Sequence, residues 1–513
     1  MISLFQPGSL QRWLVLGVVI VGTFMAVLDI TIVNVVLPKI MTAFGVNVKQ
    51  IKWVSTAFLL ATAVGMPATG WLGRRFGLGR LYLAELAIFT FGSALCAGAW
   101  SLEVLVVARI VQALGAGAIM PTSMAIITQT FPPGERGRAL GIWGVGFMVG
   151  PAIGPTLGGF LTDWFNWRAV FAVNLPVGIL AMLFTATALA PGKKDPSARF
   201  DWKGFLALGT FLVAGLLTID NGQEEGWGSA PILIGAAITV TAFLVFLAAV
   251  WDNPQPVLPL RLFRSPEFSL TIVLSFLRSA GFFGSLFMLP IFLQNVQGRD
   301  TIDVGLMLIP GAVGVAIFMP FAGMITDHFG ARWPTVCGVL ILAYSLFVYH
   351  GLDPLMARWP IIWPQIIRGI GITLLMTPVN AASMNAVPPE EAGNASWILN
   401  LTMTVGGALV IAMMGTLLQF QTVTQLDLLS AGPLNVAPLG LVEHIRNLGY
   451  PAAEVRPLAN AILLRRIGEA ANTLAFQNLF TLLSYATLLA LPPALFLSTR
   501  HRAASLIPAL RRS

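Results

Sequence analysis

The chain has 513 residues, of which 56% are hydrophobic and only 10% charged, with a net charge of +8 and a mean hydropathy of +0.81. Soluble domains carry about 25% charged residues, so this composition excludes a water-soluble fold and makes the bilayer the solvent. So little polar surface argues against nucleic acid as the partner of the basic excess, and two cysteines in apolar runs, Cys96 and Cys337, argue against a disulfide or metal framework.

Met1 to Arg12 leads directly into an apolar stretch too long for a signal-peptide core, which reads as the first span. Runs able to cross a ~30 Å hydrocarbon core follow at about 13–37, 51–70, 80–100, 103–126, 138–161, 168–190, 203–221, 230–251, 268–294, 302–326, 333–350, 360–382, 396–420 and 474–498. The expected fold class is an all-α polytopic membrane protein with fourteen spans and both termini on one side. Loops on the side of the N-terminus carry seventeen of the thirty Lys and Arg residues, and the opposite side carries ten. The positive-inside rule makes both termini cytoplasmic.

The chain also repeats. Gly70-Trp-Leu-Gly-Arg-Arg-Phe-Gly77 matches Gly323-Met-Ile-Thr-Asp-His-Phe-Gly330 at an offset of 253, and Pro132-Pro-Gly-Glu-Arg-Gly137 matches Pro388-Pro-Glu-Glu-Ala-Gly393 at 256. Common turn chemistry is the alternative account. Two six-helix halves, 1–190 and 261–513, are expected around an inserted two-helix pair with its linkers at 191–260, an architecture suited to alternating access around a midplane site. A long outer loop is expected at about 421–473. Its stretch 452–472 reads as an amphipathic helix, either functional in its own right or an extension of the last span.

Charges inside spans are costly and usually have a task. Asp29 is the acid of the first span. Burial raises and a nearby cation lowers its proton affinity, so it suits proton coupling; the alternative is a structural ion pair with an arginine, or hydrogen bonds to Thr31 and Asn34. Arg109 stays charged in any setting and can tune Asp29 or brace a bent helix. The glycines Gly146, Gly150, Gly154 and Gly158, with Gly159 after the last and Pro151 and Pro155 between, leave one helix face bare for a neighbour to approach or slide along, on a rod the prolines bend. Arg278 and Arg368 either attract acidic substrates or hold carbonyls of broken helices, and Asn380 beside Pro378 is a weaker polar contact. Aromatic rings crowd several spans; Trp143, Phe147 and Phe283, with Asn34, are candidates for lining a promiscuous pocket.

At these residues the sequence resembles the major facilitator superfamily, and more narrowly its fourteen-span drug:proton antiporters of the EmrB/QacA type, over nearly its whole length. The glycine ladder is similar to the family's antiporter motif, and Leu28-Asp-Ile-Thr-Ile-Val-Asn-Val-Val-Leu-Pro38 to its first-span motif. Arg109-Ile-Val-Gln-Ala-Leu-Gly-Ala-Gly117 and Trp167-Arg-Ala-Val-Phe-Ala-Val-Asn-Leu-Pro-Val-Gly178 resemble the fourth-span motif and the entry to the sixth. The resemblance implies proton coupling by Asp29, Arg109 and Gln112. It also implies cytoplasmic gate loops at Gly70, Arg74, Arg75 and Gly77 and at Asp327 and Arg332. Arg74 stands where the family carries an acid, so Asp327 and Arg332 are expected to matter more than Arg74.

There is no Gly-x-x-x-x-Gly-Lys-Ser/Thr loop for direct ATP hydrolysis, the four histidines form no metal site, and an enzyme has little support. The resulting expectation is a proton-coupled multidrug exporter for amphipathic hydrophobic compounds in the cell (inner) membrane, using the proton gradient and no cofactor. An exporter of an acidic lipid, fatty acid, siderophore or other metabolite, or a transport-inactive sensor, are the alternatives. EmrB-type relatives in double-membraned bacteria work with a periplasmic adaptor and an outer-membrane channel, which makes the outer loop a candidate docking place.

Overall fold

The structure is a computed structural model describing residues 10–430, 439–448 and 451–499. It is almost wholly helical, with no strand among the described residues. Twelve helices are long and apolar enough to cross a membrane, and fourteen spans result when each of two bent pairs is counted as one. They are α1 (Leu10–Phe44), α2 (Val48–Gly65 continued by Ala68–Phe76), α3 (Leu78–Ala97), α4 (Leu102–Thr130), α5 (Arg136–Trp164), α6 (Asn174–Ala188), α7 (Trp202–Glu225) and α8 (Ala230–Asp252). They continue with α9 (Pro266–Ser279, passing through a π turn at Ala280–Gly284 into Ser285–Asn295), α10 (Thr301–Phe329), α11 (Arg332–Val348), α12 (Arg358–Asn385), α13 (Ala392–Ser430) and α14 (Ala452–Leu488). Arg500, Arg502, Arg511 and Arg512 lie outside the described residues.

Local sequence sets the starts and bends. Asn47 and Gln50 form a reciprocal capping box at α2, each side chain taking the other's backbone N–H at 2.9 and 3.0 Å. Asp201 and Asp300 cap α7 and α10. α2 bends by 53° at Pro67, and α5 by 41° around Pro151, where the missing amide donor opens the ladder. The π turn in α9 falls on Ala-Gly-Phe-Phe-Gly, whose glycines tolerate the widened ring.

α1, α3, α4, α5 and α6 pack around one another, with α2 against α4; α9 to α14 form a second group, and α7 and α8 pair with each other, α7 bridging α2 and α13. The two groups meet through α5 on α10 and through α13 on α4 and the second part of α2. One core runs across the join, uniting Met124, Phe131 and Trp143 with Met384, Trp397 and Leu401. Polar bonds across it gather at the end where α1 begins, called here the terminal end. Ser396 donates to the Pro121 carbonyl at 2.8 Å, the Asn400 amide to Met124 Sδ at 3.3 Å, and Arg136 to Asn385 Oδ1 at 2.9 Å and the Met384 carbonyl at 3.2 Å. The bundle is therefore closed at its terminal end.

The long outer loop is a correction. α13 continues to Ser430 and α14 begins at Ala452, so most of 421–473 is helix; 452–472 is helical as expected, and of the two accounts given it is the extension of the last span, the first half of α14. Val455, Ala459, Leu463 and Ile467 recur every fourth residue and bury one stripe against Ile445 of a short helix, Leu439–Asn447. With its apolar face covered and no glycine or proline between Leu458 and Ile467, the helix has no reason to end before the span begins.

Candidate functional site

Asp29, Arg109 and Gln112 come together in the interior of the first helical group. Arg109 Nη1 donates to Asp29 Oδ2 and to Gln112 Oε1 at 2.6 Å. Gln112 Nε2 donates to Asp29 Oδ1 at 2.8 Å. Two residues the sequence reading passed over complete the cluster. Asn174 Nδ2 donates to Asp29 Oδ1 at 3.0 Å, and the Ser93 hydroxyl accepts from Gln112 at 2.7 Å. Asp29 and Gln112 are 0% exposed and Arg109 is 1% exposed. The Arg109 guanidinium also lies over the Phe58 ring, 3.8 Å from its centroid, and its Nε donates to the Val54 carbonyl at 3.4 Å.

Small residues on α3 and α4 make the cluster possible. A Cβ on Gly92 would stand 2.4 Å from the Gln112 Cα, and one on Gly117 would stand 2.6 Å from the Thr62 carbonyl oxygen. Helices this close carry short polar side chains into mutual reach. Removing two ions from water costs several kcal/mol each, and only good geometry with added hydrogen bonds offsets it. Here both carboxylate oxygens are occupied, by three donors in all.

The glycine ladder faces α1. A Cβ on Gly146 would stand 2.7 Å from Ile20 Cγ2, on Gly150 2.9 Å from the Leu28 nitrogen, on Gly154 2.2 Å from Thr31 Oγ1, and on Gly158 2.9 Å from Ile32 Cγ1. Gly159 points to open space. The bare stripe, with Pro151 and Pro155 between its glycines, therefore seats the helix that carries Asp29, and Thr31 donates to the Gly150 carbonyl at 3.3 Å.

The second group holds two buried cations. Arg278 donates to Asn380 Oδ1 at 3.0 Å and to the Met376 carbonyl at 3.3 Å. Arg368 donates to the Ser285 hydroxyl at 2.8 Å. Neither belongs to any ion pair among the described residues, and the Nε of each is buried without a partner. The repeat explains the second case. α1 and α9 begin 256 residues apart (Leu10, Pro266), as do α4 and α12 (Leu102, Arg358) and α5 and α13 (Arg136, Ala392). At that offset Arg109 and Gln112 correspond to Gln365 and Arg368, and Asp29 to Ser285. The copy keeps the guanidinium and the amide, in exchanged order, and has a hydroxyl in place of the carboxyl.

The remaining cavity candidates are scattered. Trp143 is buried and donates to Thr23 Oγ1 at 2.9 Å, with Phe147 stacked beside it at 6.4 Å. Phe283 packs under Gly407 of α13, and Phe147 joins the same apolar cluster. Asn34 is exposed, in the half of α1 away from the terminal end, and accepts from Ser55 at 2.9 Å.

Of the gate-loop residues, Asp327 joins the two groups. It takes the backbone N–H groups of Gly137 and Arg138 at 2.8 and 2.7 Å, capping α5 from the end of α10 where a negative charge is favoured. Arg332 instead stays in its own group, donating to the Leu497 carbonyl at 2.7 Å. Gly70 lies against Asn394 of α13. Gly77 turns the chain with φ +88°, and a Cβ there would stand 2.3 Å from the Pro191 carbonyl oxygen. Arg74 and Arg75 engage the 191–201 linker, Arg74 accepting the Asp195 N–H at 3.0 Å and Arg75 donating to the Pro196 carbonyl. The Ser197 hydroxyl at 2.5 Å holds the Asp195 carboxyl below the usual carboxylate range, helped by the Ser197 N–H and the nearby charges of Arg74 and Arg75. The linker thus brings an acid beside the loop that carries Arg74 and Arg75.

Comparison with known proteins adds to this geometry. The sequence model of the Major Facilitator Superfamily matches residues 19–411. The chain is 33% identical over 398 residues to the multidrug resistance protein Stp of Mycobacterium tuberculosis, covering 77% of this chain and 74% of that one. It is 28% identical over 487 residues to the colistin resistance protein EmrB of Acinetobacter baumannii, covering 92% and 93%. Among solved structures, the human organic anion transporter MFSD10 shares the fold, with a TM-score of 0.61 at 16% identity, covering 94% of this chain and all of that one.

Proposed function

The chain belongs to the major facilitator superfamily, and from that premise we propose that it is a proton-coupled exporter of amphipathic, largely hydrophobic small molecules. The observation that carries this reading is the fully buried Asp29 of α1, held by Arg109 and Gln112 of α4 and Asn174 of α6. A carboxylate in that setting changes charge only if its donors move, so protonation and helix arrangement are linked. The ladder of Gly146 to Gly158 seats the same helix. The relatives named for multidrug and colistin resistance support drugs as cargo.

In this reading the termini are cytoplasmic, the membrane is the cell's inner membrane, and the closed terminal end makes this the outward-facing arrangement. The energy source is the proton gradient, with no cofactor. In a double-membraned host, a periplasmic adaptor docking on the outer part of α14 and an outer-membrane channel complete the route. One proton crossing ~150 mV releases about 3.5 kcal/mol, enough to sustain a hundredfold gradient of a neutral compound, which costs about 2.7 kcal/mol. The test is extrusion of a fluorescent amphipathic dye by energised cells lacking their own pumps. Expression of the chain should lower dye accumulation, and a protonophore should restore it. Extrusion indifferent to the protonophore overturns the reading.

Arg278 and Arg368 favour a second reading of the cargo. Two guanidiniums buried without carboxylates are stabilised by an anionic group arriving with the substrate, as for an acidic lipid, fatty acid or siderophore. Replacing both by glutamine should then abolish export of anionic compounds while sparing cationic dyes. Loss of cationic export with anionic export retained would instead assign the protein to cationic drugs.

A further inference from the structure

A second carboxyl is buried within the spans, and the exchange at Asp29 makes no use of it. Glu85 lies on α3, 3% exposed. It precedes Ser93 by eight residues, which sets it about 12 Å closer to the terminal end than the Asp29 cluster. Its Oε1 accepts from the Thr122 hydroxyl at 2.7 Å. Its Oε2 is sealed from solvent with no hydrogen-bond partner.

Among the described residues, the surroundings offer Glu85 no cation. α4 presents the Thr122 and Ser123 hydroxyls and seats Gly115 on the Glu85 carbonyl. α1 presents Gly22 and Thr23, whose hydroxyl meets Ser123 at 3.2 Å. α6 meets α3 at Gly178 against Thr90, and the second part of α2 meets it at Leu78 and Leu81, while the Arg74 and Arg75 of that segment lie with the linker. The nearest titratable neighbour is Tyr82 of α3 itself, whose hydroxyl donates to the Val18 and Val19 carbonyls at 3.4 and 3.3 Å. Asp29 is therefore satisfied as a carboxylate, whereas Glu85, with one hydroxyl and no counter-ion, is buried at least cost as the neutral acid.

The position of Thr122 links this acid to the closure of the bundle. Its neighbours on α4 make the contacts that seal the terminal end: Pro121 accepts from Ser396, and Met124 meets Asn400, both on α13. The segment 121–124 thus holds Glu85 on one side and the opposite helical group on the other. The geometry points to Glu85 as a second proton-binding site, loaded while that seal is closed and emptied when Ser396 and Asn400 leave Pro121 and Met124. In the emptying step the Oε2–H bond breaks, the proton passes to water entering from the terminal end, and the carboxylate remains until the seal re-forms. This role rests on the reading of the chain as a proton-coupled exporter.

Glu85→Gln in the full-length protein, reconstituted in liposomes, tests it. Glutamine is the isostere of the neutral acid, so the variant should insert and unfold at an unchanged or higher temperature. Its uphill export should be lost, while exchange of labelled for unlabelled dye at equal pH on both sides persists. Infrared spectra of the parent at neutral pH should show the carbonyl stretch of a protonated carboxylic acid, absent from Glu85→Gln and still present in Asp29→Asn. Persistence of that band in Glu85→Gln, normal uphill export, or a failure to fold that shows a carboxylate to be required would each overturn the assignment. Protonophore-insensitive export by the parent would remove the coupling mechanism alone, because the infrared band decides independently whether Glu85 holds a proton.

Discussion

Asp29→Asn should leave a protein that inserts into the membrane but cannot concentrate substrate against a gradient. The amide oxygen of asparagine can still accept from Gln112 and Asn174, now at 2.8 and 3.0 Å from Oδ1. Its amide nitrogen, however, turns a donor toward Arg109, which is itself a donor only. The guanidinium is then buried without its anion, a change that costs about 3–5 kcal/mol when one partner of a buried pair is removed. Loss of export from the single variant therefore mixes coupling with stability. The double variant Asp29→Asn, Arg109→Gln separates them. Removing both charges should recover most of the thermal stability, since a buried pair replaced by neutral groups is often nearly neutral in energy, yet uphill dye export should stay at the background of pump-deficient cells. Uphill, protonophore-sensitive export by the double variant would show that proton coupling does not pass through Asp29.

How much of this was legible beforehand depends on which residues carried a periodic or charged signal. Asp29 and Arg109 were readable because ionisable groups stand out in an apolar run, whereas Gln112 entered only through the resemblance of Arg109 to Gly117 to a family motif. Asn174 and Ser93 were not readable, since an asparagine at a span entry and a serine within one are common and nothing local says which faces a carboxylate. Glu85 was visible as a charge in its run and was passed over, because it lies two turns from a basic loop and resembles an interfacial residue by position alone; its burial comes from α4, through Gly115 and Thr122. The same offset of 256 residues separates Asp29 from Ser285 in the sequence, but only the observed bond reveals that Ser285 lies beside Arg368. The helix at 452–472 was legible from its amphipathic pattern, but its continuity with the last span is decided only by the apolar stripe of α14, which runs beneath Arg465, Arg466 and Glu469.

The glycine ladder gives the sharpest structural prediction, because its members should not be equivalent. At Gly150 a methyl group would stand 2.9 Å from the Leu28 nitrogen and 3.2 Å from the Val27 carbonyl carbon. Those are backbone atoms of α1, immediately before Asp29, and they cannot rotate away. Gly150→Ala must push α1 from α5 locally, drawing Asp29 off donors that sit at 2.8 and 3.0 Å, and misplacement by about 1 Å at a working site costs on the order of a hundredfold in rate. At Gly154 the Thr31 hydroxyl can turn, but Thr31 Cβ at 2.9 Å and the Ile32 nitrogen at 3.3 Å are fixed to α1, so alanine there should push α1 as well. At Gly159 nothing lies within 4 Å, and alanine should export dye at the parental rate. The expected order of initial export rates, at matched membrane levels, is Gly159→Ala equal to parent, with Gly154→Ala and Gly150→Ala both near background. Equal losses at all three positions would mean that the motif acts through helix flexibility along its whole length rather than through the seating of α1, and Gly150→Ala with normal export would separate the ladder from the carboxyl altogether.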